Sequence, residues 1–196
     1  NFWYKLRAFT GDNVSTGYTG SISTRTLPNA TPTTPNSFAG VTKSTGTIEW
    51  GWADLSSDEL GFRVYNSTNS QLMQTLNAND TYWLQTNLQA NTSYHYYVKS
   101  YNVNGESSGL SEITRYTWTN APINLSTTTI NVSSISISFS GTEATTYDAV
   151  IAKDTDFTVA VTTLNLTSTT TTFSGLTDYT TYYIEVRGYN GDGVPT

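Results

Sequence analysis

Three stretches of this chain repeat one pattern. Ser93-Tyr94-His95-Tyr96-Tyr97-Val98-Lys99-Ser100-Tyr101-Asn102 alternates in character residue by residue and runs into the turn Val103-Asn104-Gly105. Phe2-Trp3-Tyr4-Lys5-Leu6-Arg7-Ala8-Phe9 runs into Gly11-Asp12-Asn13, and Tyr182-Tyr183-Ile184-Glu185-Val186-Arg187-Gly188-Tyr189-Asn190 runs into Gly191-Asp192-Gly193. A period of two places successive side chains on opposite faces of a strand. The copies recur about every 90 residues, the spacing of whole β-sandwich domains rather than of short solenoid units. Each copy is expected to supply one inward row of side chains to a two-sheet core of its own.

At 196 residues the chain has room for two ordinary domains, and its apolar fraction of 36% includes 13% aromatic residues, whose large buried areas suit small all-β cores. Residues 1–27 read as the C-terminal strand pair of a preceding repeat, 28–118 as one complete domain, and 119–196 as a domain that lacks its last strand. The strand pair has its second strand near Gly20 to Leu27, and a lone hairpin is marginal in water, so this one is expected to pair with something outside it. Pro28 to Ser37, with prolines at 28, 32 and 35, reads as an extended, semi-rigid linker. Ile48, Trp50 and Trp52 share one strand face, and Ile135, Ile137 and Phe139 take their place in the second unit. Further strands are expected at 62–65, 71–76, 82–84, 109–117 and 147–152. The tract Thr167 to Thr172 reads as a loop entering the strand that holds Phe173. Helix is expected to be nearly absent.

The corner segments carry a resemblance. Leu88-Gln89-Ala90-Asn91-Thr92-Ser93-Tyr94 and Leu176-Thr177-Asp178-Tyr179-Thr180-Thr181-Tyr182 resemble the Leu-x-Pro-x-Thr-x-Tyr corner of the fibronectin type III domain, with Ala90 and Asp178 in the proline position. Trp52 fits that family's early-strand tryptophan, and Phe139 stands in its place in the second unit. Trp50-Gly51-Trp52-Ala53-Asp54 with Glu59-Leu60-Gly61-Phe62-Arg63-Val64-Tyr65 is similar to bacterial, extracellular members. The resemblance implies tandem immunoglobulin-like β-sandwiches of seven strands in two sheets. It implies structural corners at Leu88, Tyr94, Leu176 and Tyr182, where each tyrosine hydroxyl finds a backbone acceptor. It also implies core positions at Trp52 and Phe139. Phe2, in the equivalent first-copy position, has no hydroxyl to offer.

Few residues offer chemistry. His95 is the single histidine and is placed outward on its strand, where without a partner it makes neither a metal site nor a mechanism. Asp54, Asp58 and Glu59 share a loop, and Asp12 and Asp192 sit in Gly-flanked turns. The twelve-residue calcium-loop spacing is missing, and Asp with Gly is ordinary turn chemistry. Absence of cysteine removes disulfides and thiolate metal sites. A net charge of −6 speaks against nucleic acid, and no apolar run is long enough to span a membrane as a helix.

The outward positions of the repeated strand are more suggestive. Trp3, Lys5, Arg7 and Phe9 become His95, Tyr97, Lys99 and Tyr101, then Tyr183, Glu185, Arg187 and Tyr189. Trp3, Phe9, Tyr97, Tyr101, Tyr183 and Tyr189 are thus the candidate interaction surface, for sugars or for another subunit, against the plainer reading of cross-strand packing on a solvated face.

A surface rich in Ser and Thr with only 12% charged residues is common on secreted β proteins. The expectation is a non-catalytic, cofactor-free structural or adhesive repeat region, secreted or at the cell surface. Its partners would be neighbouring repeats or subunits in a homopolymer, or surface glycans. One form of it is a filament subunit whose last domain takes a strand from the next chain's first 27 residues. The alternative is a spacer or carbohydrate-binding accessory module of a polysaccharide-degrading enzyme.

Overall fold

The computed structural model describes all residues except 1, 25, 28, 29, 109–111 and 142, and describes Phe2 and residues 161–164 by their backbone. Among the described residues there is no helix, and the strands form a short hairpin and two sandwiches. The hairpin pairs β1 (Phe2–Tyr4) with β2 (Ile22–Thr24) antiparallel, and a bridge joins Phe9 to Ser15 across the turn. Its described side chains are all exposed.

The first sandwich stacks two sheets. One has the order β3 (Asn36–Ser44), β4 (Thr47–Ala53), β7 (Tyr82–Gln85). The other runs β10 (Ile113–Tyr116), β8 (Ser93–Asn102), β5 (Gly61–Asn66), β6 (Leu72–Asn77), with the two-residue β9 (Gly105–Glu106) also on β8. The second sandwich pairs the order β11 (Ile123–Ile130), β12 (Ser134–Ser140), β15 (Thr170–Ser174) with the order β14 (Ala160–Leu166), β13 (Thr146–Ala152), β16 (Tyr183–Tyr189). Two separate cores result, one per sandwich.

Alternation makes these cores. Along β4 the burial pattern is strictly two-fold, with Ile48, Trp50 and Trp52 inside. Phe38 stacks on Trp50 at 5.7 Å, and Tyr96 meets the same indole edge-on at 5.0 Å. Trp50 is fully buried, so its Nε1–H needs an acceptor, and it donates to Gln85 Oε1 at 2.9 Å. Gln85 Nε2 then donates to the Tyr96 hydroxyl at 2.8 Å. In the second core, Ile137, Phe139, Tyr147, Ile151 and Phe173 are buried, and Phe139 meets Tyr147 edge-on at 5.0 Å.

The corners form, with one change of sign. Gln89 N donates to the Tyr94 hydroxyl at 3.1 Å, and Thr177 N donates to that of Tyr182 at 2.8 Å. The hydroxyls accept from the backbone here, and each fixes the loop five residues upstream. Leu88 packs against the first core and Leu176 is buried in the second.

Other sequence expectations are corrected by the strands. Asn36 and Ser37 open β3 rather than ending a linker, and Thr170 to Thr172 belong to β15. β3, β11 and β14 carry no clear apolar alternation in sequence; β11 is exposed at every position, so its pairing rests on backbone bonds to β12. The described part of the linker is docked. Pro32 and Pro35 are buried, Ser100 Oγ donates to Thr33 O at 2.7 Å, and Asn102 Nδ2 donates to Ala30 O at 2.9 Å. Residues 28, 29, 109–111 and Arg25, on which parts of the linker and strand readings fall, lie outside the described residues.

The two tryptophans of β4 differ in a testable way. Trp52 is 6% exposed and its Nε1 has no partner among the described residues. Trp50→Phe therefore leaves Gln85 short of a donor as well as opening a void, and is expected to cost about 2–4 kcal/mol. Trp52→Phe is expected to cost about 1–2 kcal/mol, and urea denaturation of the two variants side by side measures the gap.

Candidate interaction surfaces: the outer strand face and the domain joint

Side chains pointing away from the core on β5, β8 and β9 meet because the register sets Arg63 opposite Lys99 and Tyr65 opposite Tyr97. The Tyr65 and Tyr97 rings stack at 5.3 Å, and Lys99 Nζ lies 6.0 Å from each. Arg63 sits 4.1 Å over the Tyr101 ring and donates to Glu106 Oε1 at 3.0 Å. Glu106 also accepts from the Tyr65 hydroxyl and pairs with Lys99 at 3.4 Å. Burial pushes the Tyr65 phenol up to about 12, with the hydrogen bond to Glu106 and its charge adding to it. Burial also works to raise the Glu106 carboxyl, but Tyr65, Arg63 and Lys99 outweigh it and hold it below its ordinary value.

Tyr97 is therefore no part of an exposed strip: it is 7% exposed, under Tyr65 and Lys99. Tyr101 is half-buried beneath Arg63, and Tyr189 half-buried beside Arg187. Tyr183 stays exposed, as do Trp3 and Phe9 on the hairpin, where Arg7 lies 4.7 Å over the Phe9 ring. The six residues do not form one surface. Arg63, Tyr65 and Glu106 were missed in sequence, although the inward Phe62 and Val64 assign their β5 neighbours to the outer face.

His95, Asp54 and Asp58 behave as turn and surface residues, while Glu59 is buried and its Oε1 accepts from Asn79 N at 3.3 Å. His95 pairs with Glu112 at 3.4 Å. Asp54 Oδ1 accepts from Ser56 N at 2.9 Å, and Asp58 Oδ1 accepts from Ser56 Oγ at 2.8 Å. Among the described residues no three acidic or histidine side chains gather as a metal site.

The second sandwich repeats the charged cluster with another donor of the carboxylate. Asp148 faces Arg187 across β13 and β16 and is only 4% exposed. Its Oδ2 accepts from Arg187 Nη2 at 3.0 Å, Arg187 Nε at 3.2 Å and the Tyr189 hydroxyl at 2.5 Å.

A second constellation lies between the sandwiches. Asn91, in the first corner, has left-handed backbone at φ 41°. Its Nδ2 donates to Glu143 O and to Thr145 Oγ1 at 3.2 Å, and its Oδ1 accepts from Gly191 N at 2.8 Å. Tyr116 N donates to Asp192 Oδ2 at 2.9 Å, and Asn190 Nδ2 donates to Thr117 O at 3.0 Å. A Cβ on Gly191 would run into the Tyr116 ring, so glycine suits this close approach to the first sandwich. Asn190 and Asn102 do the same work one repeat apart: Asn102 ends β8, Asn190 directly follows β16, and each clasps the segment leading into its own sandwich.

Burial acts to raise the Asp148 carboxyl, but the Tyr189 hydroxyl, Arg187 and the Asn165 backbone N–H outweigh it and leave it below its ordinary value. A carboxyl depressed by folding stabilises the fold fully above its unfolded value of about 3.9, and loses that contribution as pH falls through the lower folded value. Asp148→Asn is expected to cost about 1–2 kcal/mol at neutral pH, with the gap to wild type closing below about pH 4. Urea denaturation across that range checks both the size and the sign.

Comparison with known proteins places this architecture. The chicken tenascin segment of two fibronectin type III domains superposes with a TM-score of 0.52 at 13% identity, over 83% of this chain and 96% of that one. The chicken CNTN1 FN1–FN3 structure matches at 20% identity over 99% of this chain and 75% of that one, with a TM-score of 0.39. No curated protein sequence matches the chain. The family model for the fibronectin type III domain matches residues 30–117 and again 120–196. The chain therefore belongs to the fibronectin type III family, as two tandem domains of a kind that is typically extracellular and non-catalytic.

Proposed function

We propose that this chain is a structural, adhesive region of a secreted or microbial cell-surface protein, working as a stiff spacer and not as a catalyst. The joint carries that reading. Asn91, Asn190 and Asp192 tie the two sandwiches through side chains to backbone groups on the opposite domain, and such bonds set an orientation as well as a distance. A flexible tether would need none of them. Asn91→Ala removes the central contact. It is expected to let the domains reorient independently, seen as a broader interdomain distance distribution in X-ray scattering and as separate tumbling of the domains in NMR relaxation, with each core still folded. Unchanged scattering and relaxation in this variant would count against the stiff-spacer reading.

The filament form of this function has its own support. The register Phe2↔Thr24, Trp3↔Ser23, Tyr4↔Ile22 matches Tyr94↔Arg115, His95↔Thr114, Tyr96↔Ile113 position for position. The hairpin is thus the kind of strand pair that closes a sandwich, with Ile22 in the place of the core-packing Ile113. On the acceptor side, the outer edge of β16 carries a single bridge, Tyr189 to Pro195, among the described residues. Strand exchange would seat β2 of one chain against β16 of another. Ile22→Lys is expected to weaken concentration-dependent growth in light scattering, and growth at the wild-type level in this variant removes strand exchange from the proposal.

A further inference from the structure

The internal joint has a counterpart at each outer end of the two-domain unit, and the equivalent positions there hold different residues. Each corner tyrosine accepts from the N–H five residues before it, so Asn91 and Tyr179 occupy one position, three residues ahead of Tyr94 and Tyr182. Their backbones agree, at φ 41° and 49°. Leu60 N donates to Tyr101 O and Thr145 N donates to Tyr189 O, both at 2.8 Å, which makes Leu60 the counterpart of Thr145. The backbone N–H groups of Asn104 and Asp192 bond back to Asn102 and Asn190 in the same way, which makes Val103 the counterpart of Gly191.

In the internal joint, Asn91 meets Thr145 and Gly191 through hydrogen bonds. At the outer ends the same three positions hold Tyr179 on the second sandwich and Leu60 and Val103 on the first. All three are exposed: Tyr179 completely, Leu60 at 53% and Val103 at 55%. Neighbours extend both patches. Ile130 and Val132 flank Tyr179 at a recess of about 440 Å³, and Leu55 lies in the loop that holds Leu60, at 52% exposure. Left-handed backbone suits asparagine and is costly for a tyrosine, so Tyr179 is held out from its corner at the expense of local strain.

We infer that the Tyr179 end of the second sandwich docks on the Leu60–Val103 end of the first sandwich in a second copy of this chain. The internal joint supplies the geometry, with apolar contact replacing its hydrogen bonds. Such an interface is heterologous, using two different patches, so it does not close on itself and propagates head to tail. This deepens the filament reading, because it would place successive copies in the same arrangement as successive domains within one copy. The patches are small, so the dissociation constant for this contact alone is expected on the order of 0.1–1 mM.

Sedimentation of the full chain from about 0.05 to 2 mM tests it. Wild type is expected to grow with concentration. Tyr179→Asn, which suits the left-handed backbone and should keep or raise the melting temperature, is expected to weaken growth at least about tenfold. Leu60→Thr with Val103→Gly should do the same, and with Ile22→Lys added to both variants to remove strand exchange, an equimolar mixture of the two should stop at dimers, since only one docking end of each is competent. Wild-type growth in Tyr179→Asn overturns this docking. If Ile22→Lys then stops growth, strand exchange stands without it; if Tyr179→Asn stops growth and Ile22→Lys does not, docking stands alone. A wild-type chain that stays monomeric over the whole range removes both.

Discussion

Two hydrogen bonds in series, from Trp50 to Gln85 and from Gln85 to Tyr96, join the two sheets of the first sandwich through its interior. An indole buried this deeply must find an acceptor, and the acceptor must in turn be buried and satisfied. Gln85 ends β7 in one sheet and Tyr96 lies on β8 in the other, so the chain of bonds fixes how the layers sit over each other. Apolar packing alone sets only the distance between sheets. The second core has no such relay among its described residues. Its one buried hydroxyl of this kind, on Tyr147, donates to Gly141 within the turn that precedes it.

The inward rows were legible because alternation is strongest where one face is wholly buried. β4, β8 and β16 declare themselves by aromatic and aliphatic residues at every second place, and the corners by a leucine and a tyrosine six apart. β3 and β11 were not legible because an edge strand can be held by backbone pairing with side chains that say little. Thr170 to Thr172 illustrate the same limit: a threonine run suits a strand and a loop equally, and only pairing with Ser136 to Ser138 decides.

The outer face was read half correctly. Its residue types were visible, but a single strand's sequence cannot show which neighbours cover them. Tyr97 looks exposed by parity and is buried by Tyr65, a residue on another strand set opposite it by register. Asp148 and Glu106 solve one problem from different strands, each pairing with the charge of an arginine and accepting a hydrogen bond from a tyrosine hydroxyl. No local motif announces that. The joint was equally silent, since Asn91 and Asn190 look like ordinary turn residues until the two domains are placed together.

The docked linker has a mechanical consequence. Because Asn102 and Ser100 hold the backbone at Ala30 and Thr33, the described part of the segment into the first sandwich has no slack to pay out when its ends are pulled apart. Tension reaching this sandwich passes through those bonds before it reaches β3, and Asn190 stands in the same position at Thr117 for the sandwich that follows. Under load the chain would therefore lengthen in steps, as one clasp after another parts, and not as a spring.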